Sequence, residues 1–205
     1  MNLKIEFERP LGVKRQAALE REVRSVLEGH PLFAGGVCKP GALVVRITVG
    51  MDKRTAIDHT SFPAAGYIRL DLDEIYYPLD RKVGEPLFTG DTEFHPRFGQ
   101  LLAHEFSHFI DARLTPAFGY GNDKRPSDSG VLSVHLNLWD SYIDGRLGDL
   151  APHSLSERQH EAEQVNGVPG SVVARAWRGE LKTYDAIVSA AVACRSVARG
   201  KPGGT

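Results

Sequence analysis

The chain has 205 residues, with 25 Lys and Arg against 26 Asp and Glu and no block of like charge. That balance excludes a polybasic nucleic-acid-binding surface as the main function, and a hydrophobic share of 41% is enough for a real core. Cys38 and Cys194 are too few for a disulfide framework, no N-terminal stretch reads as a signal peptide, and no apolar run approaches the length of a membrane span. The expectation is a cytoplasmic protein without a membrane or nucleic-acid partner.

In chain order, Leu3, Ile5 and Phe7 alternate with charges and predict a short strand. Residues 12–28 carry Val13, Ala17, Leu19, Val23, Val26 and Leu27 at near-helical spacing, and Gly29 with Pro31 ends the helix. Leu43–Val49 is rich in β-branched residues and predicts a strand, followed by a loop holding Asp58, His59 and Pro63. Tyr67–Leu72 alternates and predicts a second clear strand, and residues 76–90 read as loop. A helix follows, with Asp91 or Thr92 as cap and Pro96 in its first turn, running to about Arg113. After a loop rich in Gly and Pro, a helix over 129–147 takes Ser127 or Asp128 as its cap. Leu132, Leu136, Trp139, Ile143 and Leu147 form its apolar stripe. Asp140 and Asp144 lie on one shoulder of it, with Asp140 nearer the centre. Ser156 with Gln159 suggests a capping box, Gly167 a stop, and 171–181 and 183–199 are two more helices, the last capped by Thr183.

The chemistry concentrates in His104-Glu105-Phe106-Ser107-His108. On a helix, two histidines four apart stand one turn above each other, so both imidazoles can reach one metal ion. Glu105 then lies beside the ion, where a base for a metal-bound water would sit. With 8 His in the chain, a chance H-E-x-x-H somewhere in it has a probability of roughly 2%. Phe98, Leu101, Leu102, Phe106 and Phe109 make this a largely buried helix, and three polar groups on such a helix need partners.

The segment from about Tyr67 to Leu147 resembles the minimal core of gluzincin-type zinc metallopeptidases: a strand, the H-E-x-x-H helix, and a later helix with the third ligand. Leu138-Trp139-Asp140-Ser141-Tyr142-Ile143-Asp144-Gly145-Arg146-Leu147 also resembles a segment of uncharacterised H-E-x-x-H proteins. The resemblance covers under half of the chain. It implies an α+β fold with a zincin-like core. In that core a small mixed or antiparallel sheet packs on the motif helix and the third-ligand helix. Residues 1–150 would form the catalytic domain and 151–200 a helical extension packed on it.

The resemblance further implies Zn²⁺ held by His104, His108 and a carboxylate. Where gluzincins carry E-x-x-x-D, this chain has Asp140-x-x-x-Asp144, and either aspartate can be the ligand with the other supporting it. His135, Asp123 and His153 are rivals. The metzincin pattern fails, because Asp111 and Leu114 stand at its Gly and His places. A deformylase reading fails as well, because Gly36-Val37-Cys38-Lys39 is not the E-G-C context of that class. Glu105 would be the general base in hydrolysis of a peptide or protein substrate. Tyr142, Arg146, Tyr120 and His153 are candidate electrophiles for the carbonyl oxygen. The family's substrate strand is an edge strand, here Tyr67, Ile68, Arg69, Leu70 and Asp71. The alternative is a catalytically silent metal-binding regulatory or scaffold domain.

Overall fold

The computed structural model describes residues 2–8, 11–31, 42–50, 57–64, 67–73, 75–76, 84–121 and 124–200. The fold is α+β, mostly helical with a small sheet, and its residues fall into two compact units, Met1–Leu114 and Thr115–Thr205.

The first unit is built on four strands: β1 (Asn2–Phe7), β2 (Ala42–Gly50), β3 (Ile57–Ala64) and β4 (Tyr67–Asp73). Their order is β1-β2-β4-β3, with β1, β2 and β4 parallel and β3 antiparallel to β4. The register sets Ile5 beside Val45, Phe7 beside Ile47, and Ile47 beside Leu70. Side chains alternate across a strand, so these apolar residues share one face. That face packs with α1 (Val13–Gly29) and α2 (Phe98–Phe109) around Leu19, Val23, Leu27, Leu102, Phe106 and Phe109. The other face of the β1–β2 pair is polar, where Arg46 Nη2 donates to Glu6 Oε2 at 3.0 Å.

Three expectations change here. The 57–64 segment is a strand, not a loop. Pro63 and Asp58 disfavour an inner strand, but β3 is an edge, where a missing ladder donor is tolerated, and its register slips at Ile57/His59 and Ser61/Ala64. In consequence β4 is not an edge: β2 pairs with one side of it and β3 with the other. Lastly, α2 starts after Arg97, with no side-chain cap. Asp91 and Thr92 belong to a tight turn closed by Thr89 N–H donating to Glu93 O at 3.1 Å and His95 N–H donating to Leu87 O at 2.8 Å. After Phe109 the helix widens into a π-type turn, Ile110–Leu114. Within 76–90, the two-residue strands β5 (Ile75–Tyr76) and β6 (Glu85–Pro86) pair.

The second unit is helical: α3 (Ser129–Leu147), α4 (Leu155–Asn166), α5 (Gly170–Trp177) and α6 (Tyr184–Gly200). Asp128 caps α3 by accepting from Val131 N–H at 2.9 Å. The capping box of α4 is Ser154 with Glu157, two residues before the pair read from sequence, and Gly167 ends α4 at φ 63°. By packing, the chain divides after Leu114 and not after 150, because α3 packs against all three later helices. It does so on more than one stripe: Leu136 is exposed, whereas Val134, Leu138, Tyr142 and Ile143 are buried. Gly145 lets α3 meet the end of α5, and a Cβ there would collide with the Trp177 carbonyl.

Gly145→Ala is therefore expected to destabilise the second unit by about 1–3 kcal/mol, read as a lower Tm. Tyr184 is buried among Phe118, Tyr120 and Trp139, and burial pushes its phenol up to about 12. The folded state then holds this proton at pH values where the unfolded chain has lost it. Stability falls as pH rises from about 10, the ordinary tyrosine value, to about 12. Alkaline melting of Tyr184→Phe is expected to show a smaller loss over that window.

Candidate metal centre

On α2, at 100° per residue, Phe98, Leu102, Phe106 and Phe109 cluster on one face, and His104 and His108 fall on the opposite edge. His104 is buried and His108 half-buried. Their Nε2 atoms are 3.2 Å apart, with ring planes 74° to each other. The two Nε2 atoms lie within hydrogen-bonding distance of each other, and binding one ion through both would need both protons on Nδ1. Glu105 is half-buried on the flank beside the pair.

The other flank is tied to α1. His30, just past the end of α1, is buried, and its Nε2 lies 3.0 Å from Ser107 Oγ and 3.3 Å from the Ala103 carbonyl. Ser107 Oγ donates to that carbonyl at 2.9 Å, so its one proton is committed and His30 Nε2–H is the donor to Ser107. This fixes the rotation of α2 about its axis. His30 carries no sequence signal, because a histidine at a helix end reads as an exposed terminus.

In the second unit, Asp144 is fully buried and Asp140 half-buried, the reverse of the order read from the stripe. The cause is Arg158 on α4, a residue absent from the sequence reading. Its Nε donates to Asp144 Oδ2 at 2.7 Å, and its Nη1 lies 3.5 Å from Asp140 Oδ2 and 3.2 Å from Glu161 Oε2. Burial opposes the charge of Arg158, but Asp140, Asp144 and Glu161 outweigh it and push the guanidinium further up. Burial also pushes the Glu161 carboxyl up, against the pull of Arg158.

Other expected residues stand elsewhere in the second unit. Tyr142 is buried, its ring stacked 5.8 Å from Phe118 and covered by Arg146 at 4.3 Å, so Arg146 lies over an aromatic face. Tyr120 and His135 belong to the aromatic cluster around Trp139 and Tyr184. His153 is buried. Asp123 and Cys38 lie outside the described residues. Tyr67, Ile68, Arg69, Leu70 and Asp71 lie on the inner strand β4, and Leu70 is part of the core.

None of the protein families, curated proteins or solved structures compared with the chain matches it.

The buried pair gives a stability expectation. Asp144→Ala leaves Arg158 without its nearest carboxylate and is expected to cost about 3–5 kcal/mol in chemical denaturation. Asp144→Leu with Arg158→Met removes both charges and is expected to recover most of that loss.

Proposed function

We propose that the chain is a zinc-dependent hydrolase of peptide bonds with a zincin-like core, in which His104 and His108 hold the ion together with one of the two aspartates, Asp140 or Asp144, that stand where gluzincins carry E-x-x-x-D. The observation that carries the reading is the 3.2 Å between the two Nε2 atoms. Two nitrogens about 2.05 Å from one tetrahedral Zn²⁺ stand about 3.3 Å apart, so the pair has the spacing of two ligands of one ion. Two imidazoles and a carboxylate are also a donor set of catalytic zinc. Between the aspartates, Asp144 is committed to Arg158 in a fully buried pair, whereas the Asp140 side chain is 25% exposed and lies farther from the guanidinium. That favours Asp140 as ligand and Asp144 as support.

When bound, zinc would lower the pKa of a water toward ~7 and polarise a carbonyl. The Glu105 carboxylate would take the proton from that water and return it to the leaving amine. His30 and Ser107 would keep α2 from rotating as the load on the histidines changes. With Tyr142 stacked under Arg146, neither has a geometry that supports an electrophile role over the other candidates. An extended peptide would find its partner strand at β3, the sheet edge that also packs against α2, because β4 is paired on both sides. No helix among the described residues is long and apolar enough to cross a membrane, which fits the proposed cytoplasmic setting.

Metal analysis is expected to give about one zinc per chain, lost in Asp140→Ala and kept in Glu105→Gln. Hydrolysis of a peptide library is expected to fall roughly 10²–10⁴-fold in Glu105→Gln. Peptide cleavage by Glu105→Gln at the wild-type rate would sink the mechanism. Zinc without any cleavage by the wild type would leave the silent metal-binding domain as the reading.

A further inference from the structure

We propose that β1 is a self-complementary edge through which two copies of the chain pair as an antiparallel, twofold-symmetric dimer. Among the described strands β1 pairs with β2 alone, and its register, residues 2–7 against 42–47, runs without a break. One bond fixes which way its backbone groups point: Glu8 N–H donates to Ile47 O at 3.0 Å. Backbone groups alternate sides along a strand, so Lys4 and Glu6 also turn theirs toward β2, and Leu3, Ile5 and Phe7 turn theirs away from it. A row of outward N–H and C=O groups is a template for a further strand. The core face is also incomplete there. Ile5 and Phe7 are only partly buried, whereas Val45 and Ile47 beside them on β2 are 0% and 1% exposed.

The charges choose the occupant and the register. In an antiparallel pair of identical strands the twofold axis must pass a residue, because an axis between two residues would set an outward-facing residue against an inward-facing one. An axis at Lys4 puts Lys4 opposite its own copy, and an axis at Glu6 puts Glu6 opposite its own copy. Like charges directly opposite repel. An axis at Ile5 instead puts Lys4 opposite Glu6 of the second copy, twice by symmetry. The same axis gives the longest overlap, with Ile5 opposite Ile5, Leu3 opposite Phe7 in backbone register, and about six main-chain hydrogen bonds between outward groups. Within one copy Lys4 Nζ stands 2.7 Å from Glu6 Oε1, with the two side chains 70% and 29% exposed, so both charges lie within reach of a neighbouring strand. Ile5 meeting its own copy continues the apolar face across the axis. The contact uses no residue of the metal centre, and β3, at the opposite edge of the sheet, stays open to the proposed peptide.

The test is sedimentation equilibrium of the full chain over a wide concentration range at low ionic strength, where surface charges are least screened. The samples are the wild type, Lys4→Glu, Glu6→Lys, the variant with both changes, and an equimolar mixture of the two single variants. The wild type is expected to show a reversible monomer–dimer equilibrium. Each single variant is expected to dimerise roughly 10-fold or more weakly, because like charges then face each other twice. The mixture is expected to recover dimerisation as a heterodimer and the double variant as a homodimer, since both restore opposite charges across the axis. A role of these charges within one chain would not produce recovery on mixing. Lys4 is mostly exposed, so Lys4→Glu keeps the fold and decides the matter alone should Glu6→Lys fail to fold. A wild type that stays monomeric at the highest concentration reached would overturn the proposal. So would a dimer as strong in Lys4→Glu as in the wild type, or a mixture of folded single variants that associates no better than either alone.

Discussion

A helix that must bury one face and present two histidines on the other has little freedom. On α2 the phenylalanines and Leu102 are used up against α1 and the sheet, so His104 and His108 fall on the opposite edge. Their separation follows from the helical repeat, and their aim follows from how well the buried face is locked. His30 adds a polar lock at Ser107 and Ala103, each a neighbour in sequence of one motif histidine. Core packing and the aim of the two histidines are thus two readings of one rotation angle. Gly99 of α2 faces Val26 of α1 at ordinary van der Waals contact, with the end of the Glu22 side chain close by.

The second unit solves a different problem. Asp144 sits where the packing of α3 would ordinarily put an apolar residue, and its ion pair with Arg158 helps make its charge tolerable there. That pair joins α3 to α4 by a directional contact, and the contact depends on fork geometry as well as charge. Asn166 adds two more polar contacts between these helices, accepting from Ser133 Oγ and donating to Asn137 Oδ1, and Val134, Leu138, Ile143, Ala162, Val173 and Ile187 supply non-directional packing.

Local patterns made much of this legible. The strands β1, β2 and β4 alternate or run apolar, α1 and α3 show a helical period, and the H-E-x-x-H pattern, five consecutive residues, falls on a helix as its spacing requires. What the sequence hid depends on tertiary neighbours. Pro63 argues for a loop until β3 is known to be an edge. Asp140 and Asp144 rank in the wrong order on a wheel that knows nothing of α4. Arg158, set among Glu157, Gln159, His160 and Glu161, reads as part of a solvated face, and only the packing of α4 against α3 turns it inward. Asp91 and Thr92 do not cap α2, because they lie in a turn whose backbone closes on itself through Thr89 N–H to Glu93 O and His95 N–H to Leu87 O.

The irregularity of β3 bears on how the protein behaves in a crowded solution. A long, flat edge strand is a template on which further chains can stack, the first step of ordered aggregation. The edge here is broken by two register shifts and carries a proline near its end. The stretch left in unbroken register is His59–Ser61, shorter than the six or seven residues of typical stacking segments. The same breaks that make β3 hard to recognise as a strand limit how long a segment could stack on this edge, whereas β1, the sheet's other edge, keeps an unbroken register.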